Sequence, residues 1–534
     1  MDLISELPEP LKEKILFALP TKDAIRMSFS SRHWQSLWNT GWNSLPVTRI
    51  NLEDSVSMED SFTSSLLEHE GQKRIVHFSL GDGVEEMTRF DVDRWIKMVT
   101  QYYVTELKLD ITHSFPPATF DVGSLVVLSL TNCILDPALI QKDTIFCHLK
   151  SLGLRYVDLN GLVGELFSRC PLLESLDLTY CEDMQHVELC DVPNLKNVVV
   201  MQNYSDVPHT FKMQAPNLES LDYQECARER PLNLEEVCCR NLKRLDIDHQ
   251  QTTITNQYIE EVVLKFPLLE DLVLNADCFA SADDIDDELK TCCLNISSRS
   301  LTKLNIAGET SDAMNIIIDA PSLVSYESHS SGVSHSISFK SVKLEKHILC
   351  LDEPTLDTEW FIHLRSYLGK CSPHVAGLSE IKIYSPQSVE KKISSKLPKT
   401  EVTPRPRVRE LALVRVPFDP ADDAEALIDG LLWSCQPMQV RVQMSHDNDY
   451  ENNFIKSIHE MLMDGERESP CDCCQETHYK CWRHYLKSVT LQSYIITNDG
   501  TEHCYSNENS TMDLTHFEEP CDAIFALQWF DDLK

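Results

Sequence analysis

Residues 171–223 read PLLESLDLTYCEDMQHVELCDVPNLKNVVVMQNYSDVPHTFKMQAPNLESLDY. Three times a proline stands two residues ahead of an apolar triplet spaced x, x+3, x+5: Pro171 before Leu173-Leu176-Leu178, Pro193 before Leu195, and Pro216 before Leu218. In a strand, residues two apart share a face, so the last two members of a triplet point the same way and the first tucks in where the chain enters. A proline at a strand start removes only a donor the pairing does not yet need.

The triplet extends far outside this stretch. First positions fall at Ile75, Val104, Leu125, Leu149, Leu173, Leu195, Leu218, Leu242, Leu269, Leu301 and Leu323, mostly 21 to 27 residues apart, with wider gaps before Val104 and Leu301. Pro267 and Pro321 repeat the proline signal, and Cys133 and Cys181 stand three residues past their triplets, where such repeats often place Asn or Cys. This is the period of leucine-rich repeats. One repeat cannot bury its apolar face alone, whereas stacked neighbours bury a continuous leucine column. The fold class expected is therefore α/β: a leucine-rich-repeat solenoid with a small all-α module at its N-terminus. Past Leu323 the period loosens, but Leu378-Ile381-Ile383, Val408-Leu411-Leu413 and Leu486-Val489-Leu491 keep the spacing, and Pro437 precedes Val440 and Val442. The reading is an irregular continuation of the repeats.

Composition narrows the function. Glycine is scarce at 15 of 534 residues, and neither a dinucleotide fingerprint nor a phosphate-loop motif is present. With 84 acidic against 48 basic residues the net charge is −36, which repels phosphate backbones and anionic bilayers and favours a protein partner over nucleic acid or membrane. No signal segment and no run of about 18 apolar residues occurs. The chain reads as soluble, resident in the cytoplasm and/or nucleus, and its 20 scattered cysteines read as reduced thiols. The sequon at Asn295 is then a chance match. The acidic 283–288 stretch lacks the glycine and spacing of a calcium loop and reads as a solvated loop.

Residues 2–45 do not follow the repeat. Pro10 fits a first helical turn, Leu11, Ile15, Leu16 and Leu19 recur at helical spacing, and Pro20 stops the run. Thr21 then caps a second helix with Asp23 in its first turn, and Ser30 or Ser31 caps a third that holds Trp34, Leu37 and Trp38. Leu7-Pro8, the Ile15/Leu19 helix, the Leu19-Pro20-Thr21-Lys22-Asp23 turn and Arg32-His33-Trp34 through Trp38 resemble an F-box. An F-box ahead of leucine-rich repeats is similar to the plant F-box/LRR class, and Cys481-Trp482-Arg483-His484-Tyr485-Leu486-Lys487 resembles the C-terminal FBD region of that class.

The resemblance implies a non-catalytic substrate-recruiting subunit of an SCF-type ubiquitin ligase. The F-box binds a Skp1-type adaptor, and through it a cullin-RING complex; the repeats bind the target. It implies adaptor contact by Leu7, Pro8, Leu11, Ile15, Leu19, Met27, Trp34, Leu37 and Trp38, although so small a module also spends apolar residues on its own core. Ile25 and Met27-Ser28-Phe29 depart from the smaller residues usual there. The target surface is placed on the strand residues between the triplet leucines: Ser129, Asp177, Asp222, Asp246 and Val273. The alternative is a stand-alone repeat scaffold whose F-box does not engage a ligase.

No cofactor and no metal ligands are assigned. Cys471, Cys473, Cys474, His478 and Cys481 are dense in thiols, but their spacing fits no known finger and no RING, so they read as a reduced cysteine-rich loop. No nucleophile elbow and no H-E-x-x-H helix appears, so an enzyme is the weakest reading. The organisation expected is F-box at 1–45, linker at 46–70, solenoid at 71–384, exposed linker or loop at 385–407, and irregular repeats with the FBD-like region at 408–534.

Overall fold

The computed structural model describes residues 7–19, 23, 27–28, 30–37, 47–52, 74–80, 104–112, 114–115, 123–137, 146–184, 186–190, 192–202, 210–225, 231–280, 293–309, 315–333, 336–340, 342–391, 393–398, 405–416, 421–443, 449–464, 481–496, 502–506 and 521–530. The chain divides into two compact units, Met1–Ala227 with Leu232–Arg244, and Leu245–Lys534 with the short Arg228–Pro231 segment.

In the first unit the strands Glu106–Asp110, Val127–Thr131, Ser151–Arg155, Ser175–Thr179, Asn197–Gln202 and Ser220–Glu225 pair in chain order, each parallel to the last. Leu107, Leu128, Leu152, Leu176, Val198 and Leu221 stand directly opposite one another across this sheet. Every triplet residue from Val104 to Tyr223 is buried. At about 1.5–3 kcal/mol per buried leucine-sized side chain, this column is the main stabilising element of the unit. Short strands His186–Leu189 and Thr210–Met213 pair in parallel as a second layer and bury Val187, Leu189, Phe211 and Met213.

Two ladders join successive repeats. In the turns before three successive strands an asparagine at x−1 reaches the carbonyl at x−2 of the preceding repeat: Asn194 to Pro171 (2.9 Å), Asn217 to Pro193 (2.8 Å) and Asn241 to Pro216 (2.9 Å). After three successive strands a left-handed residue recurs, Asn132 (φ 57°), Tyr156 (51°) and Tyr180 (53°). Their N–H groups donate to the carbonyls of Arg155, Thr179 and Met201 on the next strand, which offsets the cost of that conformation.

The second unit repeats the plan with Asp271–Ala280, Lys303–Glu309, Ser325–Ser330, Lys346–Asp352, Ser379–Tyr384, Arg407–Val414 and Gln436–Gln443, again all parallel. Its second layer is the parallel trio Cys293–Ser297, Asn315–Asp319 and Ser336–Lys340, with helices Asn256–Lys265, Thr358–Cys371 and Ala421–Ser434. Gly430 is required by this packing: a Cβ there would lie 2.4 Å from the Phe361 ring. The described residues thus have the mixed α/β character expected of the repeat.

Four expectations change. The 46–70 linker contains a strand, Val47–Leu52, parallel to Arg74–Leu80; Val47, Ile50 and Leu52 keep the triplet spacing, and Ile50 and Leu52 stand opposite Phe78 and Leu80. A repeat at Leu344-His347-Leu349 was hidden because its middle position is a buried histidine. The 385–407 linker is partly structured: Ser388–Val389 pairs with Thr355–Leu356, and Ile393 and Leu397 are buried, because a few apolar residues at spacing four suffice to seat a turn. Finally, Leu486-Val489-Leu491 is no further repeat. Its strand, Leu486–Ile496, runs antiparallel to Cys521–Trp529, which itself runs antiparallel to Gln436–Gln443. Triplet spacing encodes alternation, and alternation does not encode direction.

Candidate functional site

The N-terminal module begins with helix Glu9–Ala18, started by Pro8 and Pro10, with the Leu11 and Lys12 N–H groups on the Pro8 carbonyl at 2.9 and 3.2 Å. Of the expected adaptor residues, Pro8 is exposed and Leu11 is 46% exposed, while Leu7, Ile15, Leu19 and Met27 are half-buried. Trp34 and Leu37 are buried along with Leu16, so they serve the module's own core in this chain. Ser31 caps the 32–37 turn by accepting from the Trp34 N–H at 3.3 Å. Trp38, Thr21, Ile25 and Phe29 lie outside the described residues. Among the described residues, a solvent-facing leucine and proline lie with half-buried aliphatics on this module.

On the first unit, Ser129 and Asp177 flank Gly153 in one row, which continues through Val199 to Asp222. The row is half-buried and faces away from the leucine column. Asp177 is already engaged, by Arg155 Nη2 at 2.6 Å and by the Thr179 hydroxyl. Asp222 lies 3.4 Å from Arg244 Nε. Beside the row, Glu174 sits between Lys150 (2.8 Å) and Lys196 (2.7 Å), whose hydrogen bonds hold its carboxyl at about 2, and Glu219 meets Lys243 at 3.0 Å. These alternating charges link neighbouring strands in a solvated setting and contribute little to stability. Past the strand ends, Tyr156, 53% exposed, packs its ring 5.3 Å from that of Tyr180. Tyr180 is half-buried, and the pair lies just past the strand ends, outside the triplet pattern.

On the second unit, Val273 faces Asn305, and Asn305 faces Glu327. Asp246 lies on the strand Arg244–Thr255 and is half-buried. Ser129, Asp177 and Asp222 share a row on the first unit, and Asp246 and Val273 lie on strands of the second. Near the strand ends of the second unit lies a cleft of about 580 Å³ lined by Asn275, Asp277, His329, Asp352, Glu353 and Gln387, among others. Gly308, also on its wall, has φ 152°, and a Cβ there would stand 2.4 Å from the Ala276 carbonyl oxygen, so only glycine fits beside the bulge between Asn275 and Cys278. Burial raises the Asp352 carboxyl, opposed by nearby His329.

The Cys481–Lys487 segment is an anchor. Trp482 is buried and donates Nε1–H to Asp429 at 2.8 Å, while Arg483 stacks on the Trp482 ring at 4.6 Å and reaches Asp429 at 3.3 Å. These contacts fasten it to the helix Ala421–Ser434. Of the thiol cluster only Cys481 lies within the described residues, as does none of the acidic 283–288 stretch. The described cysteines form no disulfide, and no described helix is long and apolar enough to cross a membrane.

Comparison with known proteins bears on both halves of this arrangement. Residues 4–43 match the F-box domain, and residues 92–235 match the leucine-rich repeats of the FBD-associated F-box protein At5g56370. That Arabidopsis thaliana protein is 31% identical over 214 residues, 38% of this chain and 47% of its own length. The F-box/FBD/LRR-repeat proteins At1g13570 and At3g52680 of the same plant are 30% and 29% identical, over 45% and 51% of this chain and 58% and 60% of their lengths. The chain spans about half the length of the curated relatives it matches. Its N-terminal module is an F-box, its repeats are of the leucine-rich kind, and its homologues are plant F-box/FBD/LRR-repeat proteins.

Proposed function

We propose that this chain is the substrate-recruiting subunit of an SCF-type ubiquitin ligase, working in the cytoplasm and/or nucleus. Its F-box holds a Skp1-type adaptor and, through it, a cullin-RING complex. The leucine-rich-repeat solenoid holds the target protein. The observation that carries the reading is the F-box match over residues 4–43 ahead of the repeat match over 92–235. The exposed Pro8 and Leu11 beside Leu7 support it on physical grounds. The chain itself contributes no chemistry; it raises the effective concentration of target lysines at a ubiquitin-charged partner, which is catalysis by positioning.

For the target, the row Ser129–Asp222 with the Tyr156/Tyr180 pair is the surface of choice on the first unit. An acidic chain of net charge −36 favours a basic or neutral protein over a polyanion.

The test is calorimetric titration of the full chain with a purified Skp1-type adaptor. Wild type is expected to bind at one equivalent, and a Leu7→Ala, Pro8→Ala double variant and Leu11→Asp to bind at least tenfold more weakly, a loss of about 1.4 kcal/mol or more. Far-UV circular dichroism and the urea midpoint should stay unchanged for Leu11→Asp, since Leu11 is solvent-facing. No binding by folded wild type would replace this reading with a stand-alone repeat scaffold.

A further inference from the structure

In the parallel pairing of Ser325–Ser330 with Lys346–Asp352, His329 stands directly opposite Cys350, and Glu327 lies one pleat earlier on the face that His329 and Cys350 share. The donor atoms of Glu327, His329 and Cys350 all lie within 4.8 Å of one another. His329 Nε2 and Glu327 Oε1 are 2.9 Å apart. Glu327 and His329 are half-buried, and Cys350 is 1% exposed. Three different donor types, imidazole, carboxylate and thiol, thus converge at the strand ends of the second unit.

We propose that Glu327, His329 and Cys350 form a binding site for a thiophilic divalent cation of the zinc class. The inference is independent of the ligase reading. Zinc takes bonds of about 2.0–2.2 Å to nitrogen and oxygen and about 2.3 Å to sulfur in a tetrahedron, so its donors stand about 3.4–3.6 Å apart. An ion placed between His329 Nε2 and Glu327 Oε1 takes the place of the hydrogen bond joining them and needs that pair to open by about half an ångström; a proton on Nε2 passes to solvent, or by way of solvent to Nδ1, so that the Nε2 lone pair bonds the ion. Cys350 needs only to close inward within the 4.8 Å already enclosing the three. On binding, the Cys350 S–H bond breaks, the thiolate bonds the ion and the proton passes to solvent.

The surroundings favour a cation. His329 lines the acidic cleft with Asp277, Asp352 and Glu353, where a fourth ligand, water or carboxylate, has access. Lys382, paired opposite Cys350 on the next strand, is the nearby positive charge; it favours the thiolate that the ion requires. Burial, joined by the charge of Glu327, otherwise keeps the thiol protonated, pushing it up to about 12. A soft cation that binds sulfur is therefore favoured over calcium or magnesium, which gain nothing from a thiol.

The experiment uses the full chain, stripped with chelator and kept reduced with a phosphine, and titrated with cobalt(II) chloride followed by zinc chloride. Expected is a near-ultraviolet thiolate-to-cobalt charge-transfer band that saturates at one equivalent and bleaches with zinc. Cys350→Ser should abolish the band. H329Q and E327Q, which keep the thiol, should weaken zinc at least about 100-fold, the upper end of what outer-shell losses cost. A C473S/C474S variant, altered in the other thiol cluster, should leave band and stoichiometry unchanged. The proposal is overturned if wild type gives no band, if the band survives Cys350→Ser and vanishes in C473S/C474S, or if H329Q and E327Q bind zinc as wild type does. Those two variants also decide the matter should Cys350→Ser fail to fold.

Discussion

The two units follow one repeat plan and fill it differently. In the first, every triplet from Val104 to Leu218 is apolar, and the column runs Leu107, Leu128, Leu152, Leu176, Val198, Leu221 without interruption. In the second, the same positions hold buried Tyr326 and His347 and half-buried Ser328 in the middle of the sheet. A buried polar group is tolerated where it finds partners. His347 finds them in the Ser379 hydroxyl (2.8 Å) and the Tyr367 hydroxyl (3.3 Å), with Tyr326 stacked on its ring at 5.7 Å. Tyr367 comes from the helix Thr358–Cys371, which has no counterpart of that length among the described residues of the first unit. The regular unit is held by volume, and the irregular one by volume plus specific polar contacts.

The sharpest way to break this contrast is to open the column where it is most uniform. Leu178 is fully buried, and Leu178→Ala should remove about 2–5 kcal/mol, since parallel strands fixed on both sides cannot close the cavity. Hydrogen exchange over 151–202 should lose protection by a matching amount. A loss below about 1 kcal/mol would mean the column is loosely packed and the contrast unfounded.

Acid should find the second unit first. Burial pushes His347 down to about 4 from its usual 6.5. The unfolded chain then binds more protons than the folded one between those values, so stability is full above pH 6.5 and falls as pH drops toward 4, by roughly 3 kcal/mol in all. Exchange protection of 346–384, followed from pH 7 to 4, should show this step, and His347→Leu should erase it while leaving the Ser379 and Tyr367 hydroxyls buried without their partner. If the step persists in His347→Leu, another group carries it.

The difference between the units also governs what could be read from the sequence. The leucine triplets were legible because sheet alternation and repeat length are both linear patterns. So was the F-box, whose prolines and tryptophans punctuate short helices, although which of its apolar residues face outward was not: Leu11 and Leu37 look alike in sequence and differ in burial. The Glu327/His329/Cys350 cluster was illegible for one reason. With Leu344 overlooked because His347 stands where a leucine belongs, Cys350 had no repeat position. Once that repeat is restored, His329 and Cys350 fall six residues past Leu323 and Leu344, equivalent places on adjacent strands. Strand direction at the C-terminus could not be read at all, since Leu486–Ile496 has the same alternation as a repeat.

The smallest effect tests what the units share. The turn ladder uses asparagine in the first unit, as Asn217 to the Pro193 carbonyl at 2.8 Å, and serine in the second, as Ser322 to the Arg299 carbonyl at 2.8 Å. Both bonds join x−1 of one repeat to x−2 of the one before, and both are solvent-accessible, so water replaces a lost partner. Asn217→Ala should therefore cost only about 0.5–1.5 kcal/mol. Asn217→Ser should cost less, because the second unit shows that a hydroxyl at this position spans the same gap. Equal losses in the two variants, measured by urea unfolding followed through exchange of 195–225, would mean that the amide acts on its own turn and not on the neighbouring repeat. The ladder would then be a by-product of stacking, and the column alone would hold the repeats in register.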